Sequence, residues 1–423
     1  MKTKIAVLSL SLALAGYVSA ADVYITGATA FRTAAIKAIA SSYTGAFTAS
    51  YNSGSLQTAS RAAFSGSFPG ISGTTNIYCS WNGSVEGVRA LHDSELVTFI
   101  GALPTVAGSA DGTGGGVDAS TTTHTATFAF SDVAQSSSPF NTTPLYPSEP
   151  AVGVVAFAWV VNGGGDAGIT GMTSQLAGAM LNNGFQSLRM FTGLAGDATK
   201  NVYLTGRNDG SGTRTTVLAE SGFGISLSVQ QWKPTVVSSN ITELRLWPLA
   251  DGTNVSNVWS ATEVAGNGGF SSGGNLTTSM RSTSASVQRK NAAGTNVGSP
   301  GALSLIGYQS AADAFATQAA GTGTPGRLLK YNGAPALTYS GAGTPADPFV
   351  LSAAAINSIA TGQYTLWGYE NLYSSVDLST DADLDTVYNA IKSGATAANL
   401  GLSGVPLSAM LVGRATDGGT VAP

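Results

Sequence analysis

The residues best suited to chemistry lie at positions 206–216, in the run "GRNDGSGTRTT". A glycine-rich turn that opens a helix exposes backbone N–H groups, and the helix dipole adds partial positive charge there. Ser211 and Thr213 add hydroxyl donors, and Arg207 offers a planar guanidinium that suits an oxyanion. Taken alone, the stretch fits an anion-binding turn and a capped helix with a surface arginine about equally well.

Two other turns place small hydroxyl residues before helix-like segments, at Gly27-Ala28-Thr29 and at Asn82-Gly83-Ser84. Ser131-Asp132 directly follows the apolar run "TFAF", at the end of a predicted strand. A carboxylate accepts a hydrogen bond from a protonated anion but would face the lone pairs of a fully ionised sulfate. Considered alone, Asp132 is better explained as a cap at a strand end. Together, the four segments favour one site for an oxyanion that carries a proton.

Three of these segments belong to a strand–turn–helix pattern, with strands predicted at 23–26, around 77–79 and at the start of the run "NVYLTGRNDGSGT" that begins at Asn201. Repeated units of this kind predict an α/β fold. Thr29 is the predicted N-cap of the first helix. The apolar run at 151–165 predicts a buried strand, whereas residues 101–124 and 265–300, rich in Gly, Ser and Thr, predict loops or short hairpins.

The N-terminal sequence "MKTKIAVLSLSLALAGYVSA" combines two lysines, a short apolar run and a small-x-small cleavage pattern. These features predict a signal peptide over residues 1–20 and a mature chain from Ala21. Tyr17 stands where a lipoprotein signal requires cysteine, so we expect no lipid anchor and no membrane insertion after cleavage. The expected location is the periplasm or the cell exterior.

Composition excludes several classes of function. The chain has 19 basic and 23 acidic residues and a net charge of -4, without the basic clusters that nucleic-acid binding requires. The two histidines, His92 and His124, are far apart, and Cys79 is the single cysteine. A zinc site is therefore not expected, and the sequence predicts no metal and no cofactor.

The segment "RNDGSGT" at 207–213 resembles the signature of the periplasmic phosphate-binding protein of the phosphate ABC importer, a PstS-like member of the type 2 periplasmic binding protein superfamily. The blocks "ITGAT", "GSVEGVRAL", "FAFSDV", "AVGVVAFAWVVN" and "SLIGYQSAADA" resemble other segments of that family, in the same order, from residue 21 to about 312. This resemblance implies two α/β lobes, each a mixed sheet flanked by helices, with the ligand in the cleft between them.

The resemblance also implies domain limits and partners. Lobe 1 would comprise residues 21–150 and 309–423, and lobe 2 residues 151–308. The protein would be a monomeric, non-enzymatic solute-binding protein that captures phosphate and delivers it to an ABC permease. The phosphate contacts implied by the motifs are Thr29, the amide of Ala30, Ser84, Asp132, Arg207, Ser211, Gly212 and Thr213, with Asp209 orienting Arg207.

Two alternatives remain open at this stage. One is an extracellular surface or biofilm protein on the same scaffold, with another oxyanion or no ligand; Glu86, in the first turn of a helix aimed at the anion, favours it unless its charge points to solvent. The other is a hydrolase that uses Ser84 or Ser211, although no histidine lies near either serine in the sequence.

Overall fold

The computed structural model describes residues 21–249, 264–344 and 346–423. The predicted signal peptide, residues 1–20, lies outside the described residues. Within the described ranges, no helix has both the length and the apolar character needed to span a membrane.

The described chain alternates strands with helices. The strands are β1 (Ala21–Gly27), β2 (Phe47–Tyr51), β3 (Arg61–Ser67), β4 (Thr74–Ser80), β5 (Leu96–Phe99), β6 (Val106–Ala107), β7 (Gly116–Val117), β8 (Thr122–Thr125), β9 (Phe128–Ser131), β10 (Ala151–Val161), β11 (Gly171–Met172), β12 (Phe185–Ser187), β13 (Asn201–Leu204), β14 (Trp232–Val237), β15 (Asn240–Leu246), β16 (Gln288–Lys290), β17 (Ser304–Ser310), β18 (Arg327–Leu328), β19 (Lys330–Tyr331), β20 (Tyr339–Ser340), β21 (Val350–Leu351) and β22 (Trp367–Ser374). The α-helices are α1 (Arg32–Ser42), α2 (Ser84–His92), α3 (Ser174–Asn183), α4 (Arg189–Thr192), α5 (Gly212–Glu220), α6 (Gly273–Met280), α7 (Ala311–Gln318), α8 (Ala353–Ala360), α9 (Ala382–Ser393) and α10 (Ala397–Leu400).

A large mixed sheet connects most of these strands, in the order β12-β13-β17-β10-β22-β9-β1-β4-β3-β2-β6, with β18 beside β10 and β7 beside β2. β1 is parallel to both β4 and β9, whereas β22 is antiparallel to β9 and β10. Helix α2 packs on β1 and β9, and α7 packs on β10 and β17. The predicted fold class, a mixed α/β fold with helices flanking the sheet, is confirmed.

Strand β10 joins the two halves of this sheet. Residues 151–156 pair with β22, and residues 157–161 pair with β17. All its residues after Ala151 are buried, and an unbroken apolar run is what a strand covered on both faces requires. The strands on the β22 side and those on the β17 side are therefore joined by the single strand β10. The limits proposed for two lobes, at residues 150 and 308, stay a prediction.

One part of the loop prediction for residues 265–300 is wrong, because this segment contains helix α6. Ser272 caps the helix by accepting a hydrogen bond from the Asn275 amide, and Leu276 and Met280 are buried on its inner face. Two glycines at the start of the helix, which disfavour helix on propensity alone, conceal it in the sequence. Burial of the apolar side chains outweighs this propensity cost.

Candidate functional site

The first turn of the site connects β1 to α1. Gly27 has a φ of 113°, and a Cβ atom there would lie 2.0 Å from the Phe130 carbonyl oxygen, so a side chain is excluded. The prediction that Thr29 is the N-cap of α1 is wrong. The N-cap is Phe31, whose side chain makes no capping hydrogen bond. The Thr29 hydroxyl is instead free to accept a hydrogen bond from Arg207 Nη2 at 3.2 Å. Ala30 is buried in the same turn.

The second turn connects β4 to α2, and the helix begins at Ser84 as predicted. Gly83 has a φ of 121°, which favours glycine. Its amide donates to the Gly27 carbonyl at 2.9 Å, and the Val85 amide donates to the Gly210 carbonyl at 3.1 Å. The start of α2 is therefore tied both to the first turn and to the "RNDGSGT" segment.

Asp132 directly follows β9, and its side chain is buried, with 1% of the residue exposed. The Ser84 hydroxyl donates a hydrogen bond to Asp132 Oδ1. Burial raises the pKa of Asp132 to about 6, although the Ser84 bond and the charge of Arg207 act to lower it. The carboxylate is thus ionised above about pH 6 and placed as an acceptor inside the protein.

Arg207 is the main buried cation of the site, with 1% of the residue exposed. Its Nε donates to the Phe270 carbonyl at 3.0 Å, and its Nη2 donates to the Ser271 carbonyl at 2.9 Å as well as to Thr29. None of these bonds uses Nη1. Main-chain carbonyls therefore fix the plane of the guanidinium, and in the part of the chain that the structure describes no hydrogen bond from Nη1 is present.

The start of α5 supplies the remaining predicted contacts. Ser211 is the N-cap and accepts a hydrogen bond from the Arg214 amide at 3.4 Å. Gly212 and Thr213 form the first turn of the helix, and both are buried. A Cβ atom on Gly212 would lie 1.5 Å from Asp132 Oδ1 and 2.7 Å from Ser84 Cβ. The helix start, the serine and the carboxylate are therefore in direct contact.

Asp209 lies in the turn between Arg207 and α5, but the charges that act on Arg207 come from elsewhere. Asp313 opposes the burial-induced lowering of the Arg207 pKa more strongly than Asp132 does. Asp209 acts on Arg214, whose pKa is lowered by burial, and lines a cavity of about 460 Å³ with it. The role of Asp209 in orienting Arg207 stays a prediction.

Asp313 and Arg32 both interact electrostatically with Arg207, and neither residue is predicted as a site residue from the sequence. Asp313 lies in the first turn of α7, a hundred residues after the motif, and Arg32 is the first residue of α1. Only the fold brings these two side chains close to Arg207. Both residues are distant in sequence from the 207–213 segment, so no short motif identifies them.

Arg214 forms hydrogen bonds with the main chain of the site. Its Nη1 donates to the Asn267 carbonyl at 2.6 Å and to the Arg207 carbonyl at 3.4 Å, and its Nη2 donates to the Asn267 side chain. Arg214 is 3% exposed. The second arginine of the "RNDGSGTR" run therefore holds the main chain of the site.

Glu86 does not direct an unpaired charge at the site. Its carboxylate accepts hydrogen bonds from Arg89, at 2.9 Å from both Nε and Nη2. The Glu86 charge is thus paired with Arg89, which also pairs with Glu95, so Glu86 does not present an unpaired carboxylate at the start of α2.

The hydroxyls of Ser84 and Ser211 lack the histidine that a serine nucleophile requires. His92 bonds Asp93 and Thr142, and His124 stacks on Tyr24 with ring centroids 4.2 Å apart. The Ser84 hydroxyl donates to Asp132, and the Ser211 hydroxyl accepts from the Arg214 amide. Among the described residues, neither serine is therefore paired with a histidine.

Glu370 lies on β22, two residues from Gly368, where a Cβ atom would be 2.6 Å from the Asp132 carbonyl oxygen. Glu370 is 0% exposed, and neither carboxyl oxygen has a hydrogen-bond partner among the described residues. Burial, and then the charge of Asp132, raise the pKa of Glu370 well above its ordinary value. Burial and the nearby Asp132 carboxylate therefore favour the protonated form of Glu370.

We expect the Glu370→Gln variant to be more stable than the wild type at pH 7 and equally stable at pH 4. Because the folded pKa is raised, the folded protein keeps a proton that the unfolded chain releases above about pH 4.5. The free energy of unfolding of the wild type should then fall by up to about 1.4 kcal/mol per pH unit above that point. Urea unfolding at both pH values measures this, with the exposed Glu149→Gln as control; equal stability of wild type and variant at pH 7 would contradict it.

Comparisons with known proteins concern the fold. No family model and no curated protein matches the chain. The solved PstS of Borrelia burgdorferi is 12% identical, over 86% of this chain and 92% of that chain, with a TM-score of 0.34. A possible phosphate binding protein from Planctomyces limnophilus is 11% identical, over 90% and 99% of the two chains, with a TM-score of 0.36. A phosphate binding protein from Stenotrophomonas maltophilia is 15% identical, over 87% and 83%, with a TM-score of 0.34.

Proposed function

We propose that this protein binds inorganic phosphate, as hydrogen phosphate, between the turns at Thr29, Ser84, Asp132 and 207–213. The observation that carries the proposal is a fixed, buried arginine and a buried carboxylate in one site: Arg207 and Asp132 are each 1% exposed. A buried cation and a carboxylate that share the start of a helix suit an anion that also donates a proton.

The ligand oxygens would be bound by donors from three turns. Arg207 Nη1 supplies charge, α5 supplies the amides of its first turn, and the hydroxyls of Ser84 and Thr213 complete the set. The Ser84 hydroxyl donates to Asp132, so it must turn toward the ligand on binding. Each charge-assisted hydrogen bond of this kind contributes about 1.5–3 kcal/mol.

Asp132 would decide which anion is accepted. Hydrogen phosphate donates its P–OH proton to the carboxylate, whereas sulfate has no proton to give at neutral pH. A sulfate oxygen would then face an ionised carboxylate with lone pairs on both sides and no water between them. The site should therefore prefer phosphate over sulfate.

The physiological setting follows from the N-terminal sequence. A cleaved signal peptide would place the mature protein in the periplasm or outside the cell, where a monomer could collect phosphate and pass it to an ABC-type permease. The site residues support the binding of phosphate. Its delivery to a permease is proposed separately, from the N-terminal sequence and the family resemblance.

Titration calorimetry of the mature chain with phosphate is expected to give one site, and Arg207→Gln is expected to weaken it at least 100-fold. The loss combines a buried charge and its hydrogen bonds to the anion, about 3 kcal/mol or more. Arg281→Gln is the matched control, because Arg281 also bonds main-chain carbonyls, those of Ala316 and Thr322, at the other end of α6.

Phosphate binding by wild type and by the Arg281→Gln control, with loss in Arg207→Gln, would support the proposal. A wild-type protein that takes up no phosphate in the calorimeter would refute it. Retained affinity in Arg207→Gln would show that phosphate binds elsewhere.

A further inference from the structure

Arg32 lies at the edge of the site, and its Nε makes no hydrogen bond within the described residues. It is the first residue of α1 and follows the turn that contains Thr29 and Ala30. Its Nε is buried and has no hydrogen-bond partner in the part of the chain that the structure describes. A buried charged donor without an acceptor is costly, so such a group is rarely retained unless something binds it.

Arg32 and Arg207 lie close enough for their charges to interact. Arg207 donates to the Thr29 hydroxyl at 3.2 Å, only three positions before Arg32. Burial lowers the pKa of both arginines; Asp313 opposes this at both, while Arg32 lowers the pKa of Arg207 further. Two positive groups therefore share one region of the site, where their repulsion favours an anion between them.

Asp313 does not fully compensate the two arginines, because its carboxylate is already engaged. The Ser310 hydroxyl donates to Asp313 Oδ2 at 2.8 Å. A Cβ atom on Gly273 would lie 1.9 Å from the same oxygen, so the carboxylate rests against the first residue of α6. One carboxylate, which also contacts a serine hydroxyl and a helix start, therefore acts on two guanidinium groups.

We propose that Arg32 is a second cationic ligand of the bound anion, which matches the site to an oxyanion that carries two negative charges. The inference rests on the proposed phosphate-binding function. Arg207 and Arg32 would donate hydrogen bonds to the charged oxygens of the anion, while Asp132 would accept a hydrogen bond from its protonated oxygen. Hydrogen phosphate has this combination of two charges and one proton.

The experiment is titration calorimetry with inorganic phosphate at about pH 8, where the dianion predominates. The proteins are the mature wild type, Arg32→Gln, Arg32→Lys and the control Lys37→Gln, which removes one positive charge from the same helix. We expect Arg32→Gln to weaken binding at least tenfold, Arg32→Lys to weaken it less, and Lys37→Gln to stay within twofold of wild type.

Thermal melting separates binding from folding. Without phosphate, Arg32→Gln should melt close to the wild type, and the rise in Tm on adding phosphate should shrink in this variant only. If the wild type binds phosphate and Arg32→Gln binds it within threefold, the inference fails and the proposed function stands. If the wild type binds no phosphate, both fail. Should Arg32→Gln not fold, Arg32→Lys decides: unchanged affinity, with the guanidinium fork lost, overturns the inference.

Discussion

Replacing Asp132 by asparagine should weaken phosphate binding about 100-fold and bring sulfate to a similar affinity. In the proposed site the carboxylate would accept the P–OH proton, and a hydrogen bond to a charged group contributes up to about 3 kcal/mol. The asparagine amide can turn its NH₂ group toward a sulfate oxygen and remove the repulsion that excludes sulfate. Calorimetry with both anions measures the change of selectivity.

The same selectivity should change with pH in the wild type. The pKa of Asp132 is raised to about 6, so the carboxyl is ionised above that value and neutral below it. As the pH falls through about 6, Asp132 gains a proton and can donate to sulfate. The phosphate-to-sulfate ratio of affinities is therefore expected to fall more steeply toward pH 5 in the wild type than in Asp132→Asn, in which only the protonation of phosphate itself changes the ratio.

Loss of binding in Asp132→Asn should not come from unfolding. Because the folded pKa lies above the ordinary value of 3.8, the wild type loses stability as the pH rises from about 4 to about 6, by roughly 3 kcal/mol in all. The variant lacks this loss and should unfold at higher urea concentration at pH 7. The control is Asp197→Asn, which neutralises a buried aspartate outside the proposed site. Asp197 accepts hydrogen bonds from Thr192 and Lys200. Unchanged anion selectivity in Asp132→Asn would contradict the role given to Asp132.

Replacing Gly212 by alanine should abolish measurable phosphate binding and lower the free energy of unfolding by about 1–3 kcal/mol, the usual cost of overpacking. The added methyl would lie 1.5 Å from Asp132 Oδ1 and 2.6 Å from Asp132 Cγ. Either α5 or the segment after β9 has to move. Each movement separates the helix start from the carboxylate, and the two must act on the same anion.

The matched control is Gly274→Ala, near the start of α6, where an added Cβ meets nothing within 4 Å. Both substitutions replace a glycine in the first turn of a helix, so they share the change in helix propensity. Calorimetry and urea unfolding on the two variants separate the clash from that propensity. Phosphate binding by Gly212→Ala at wild-type affinity would show that the anion does not bind at the start of α5.

The sequence predicted those parts of the fold that depend on local patterns. The strand–turn–helix units, the start of α2 at Ser84 and the buried strand β10 all follow from apolar runs bounded by turn residues. The caps of α3 at Thr173 and Gly184 are local features of the same kind. The sequence does not predict helix α6, because the two glycines at its start disfavour a helix. Burial of its apolar side chains stabilises the helix in the folded protein.

The candidate site was predictable only where its residues lie in short motifs. Ser84, Asp132 and the 207–213 segment each follow a predicted strand, and the sheet brings the ends of those strands together. Thr29 was assigned as a helix cap, but its hydroxyl bonds Arg207, a contact across 178 positions of the sequence. Arg32, Asp313 and Glu370 carry no motif, and only tertiary packing places them beside Arg207 or Asp132.

A crystal grown with arsenate tests the central claim most directly, because the anomalous signal of arsenic locates the anion without reference to the protein model. The expected result is one arsenic position in hydrogen-bonding contact, through its oxygens, with Arg207, Asp132 and the first turn of α5. An arsenic position in the neighbouring cavity at Arg214, or no bound arsenic in the presence of excess arsenate, would contradict the assignment of this site.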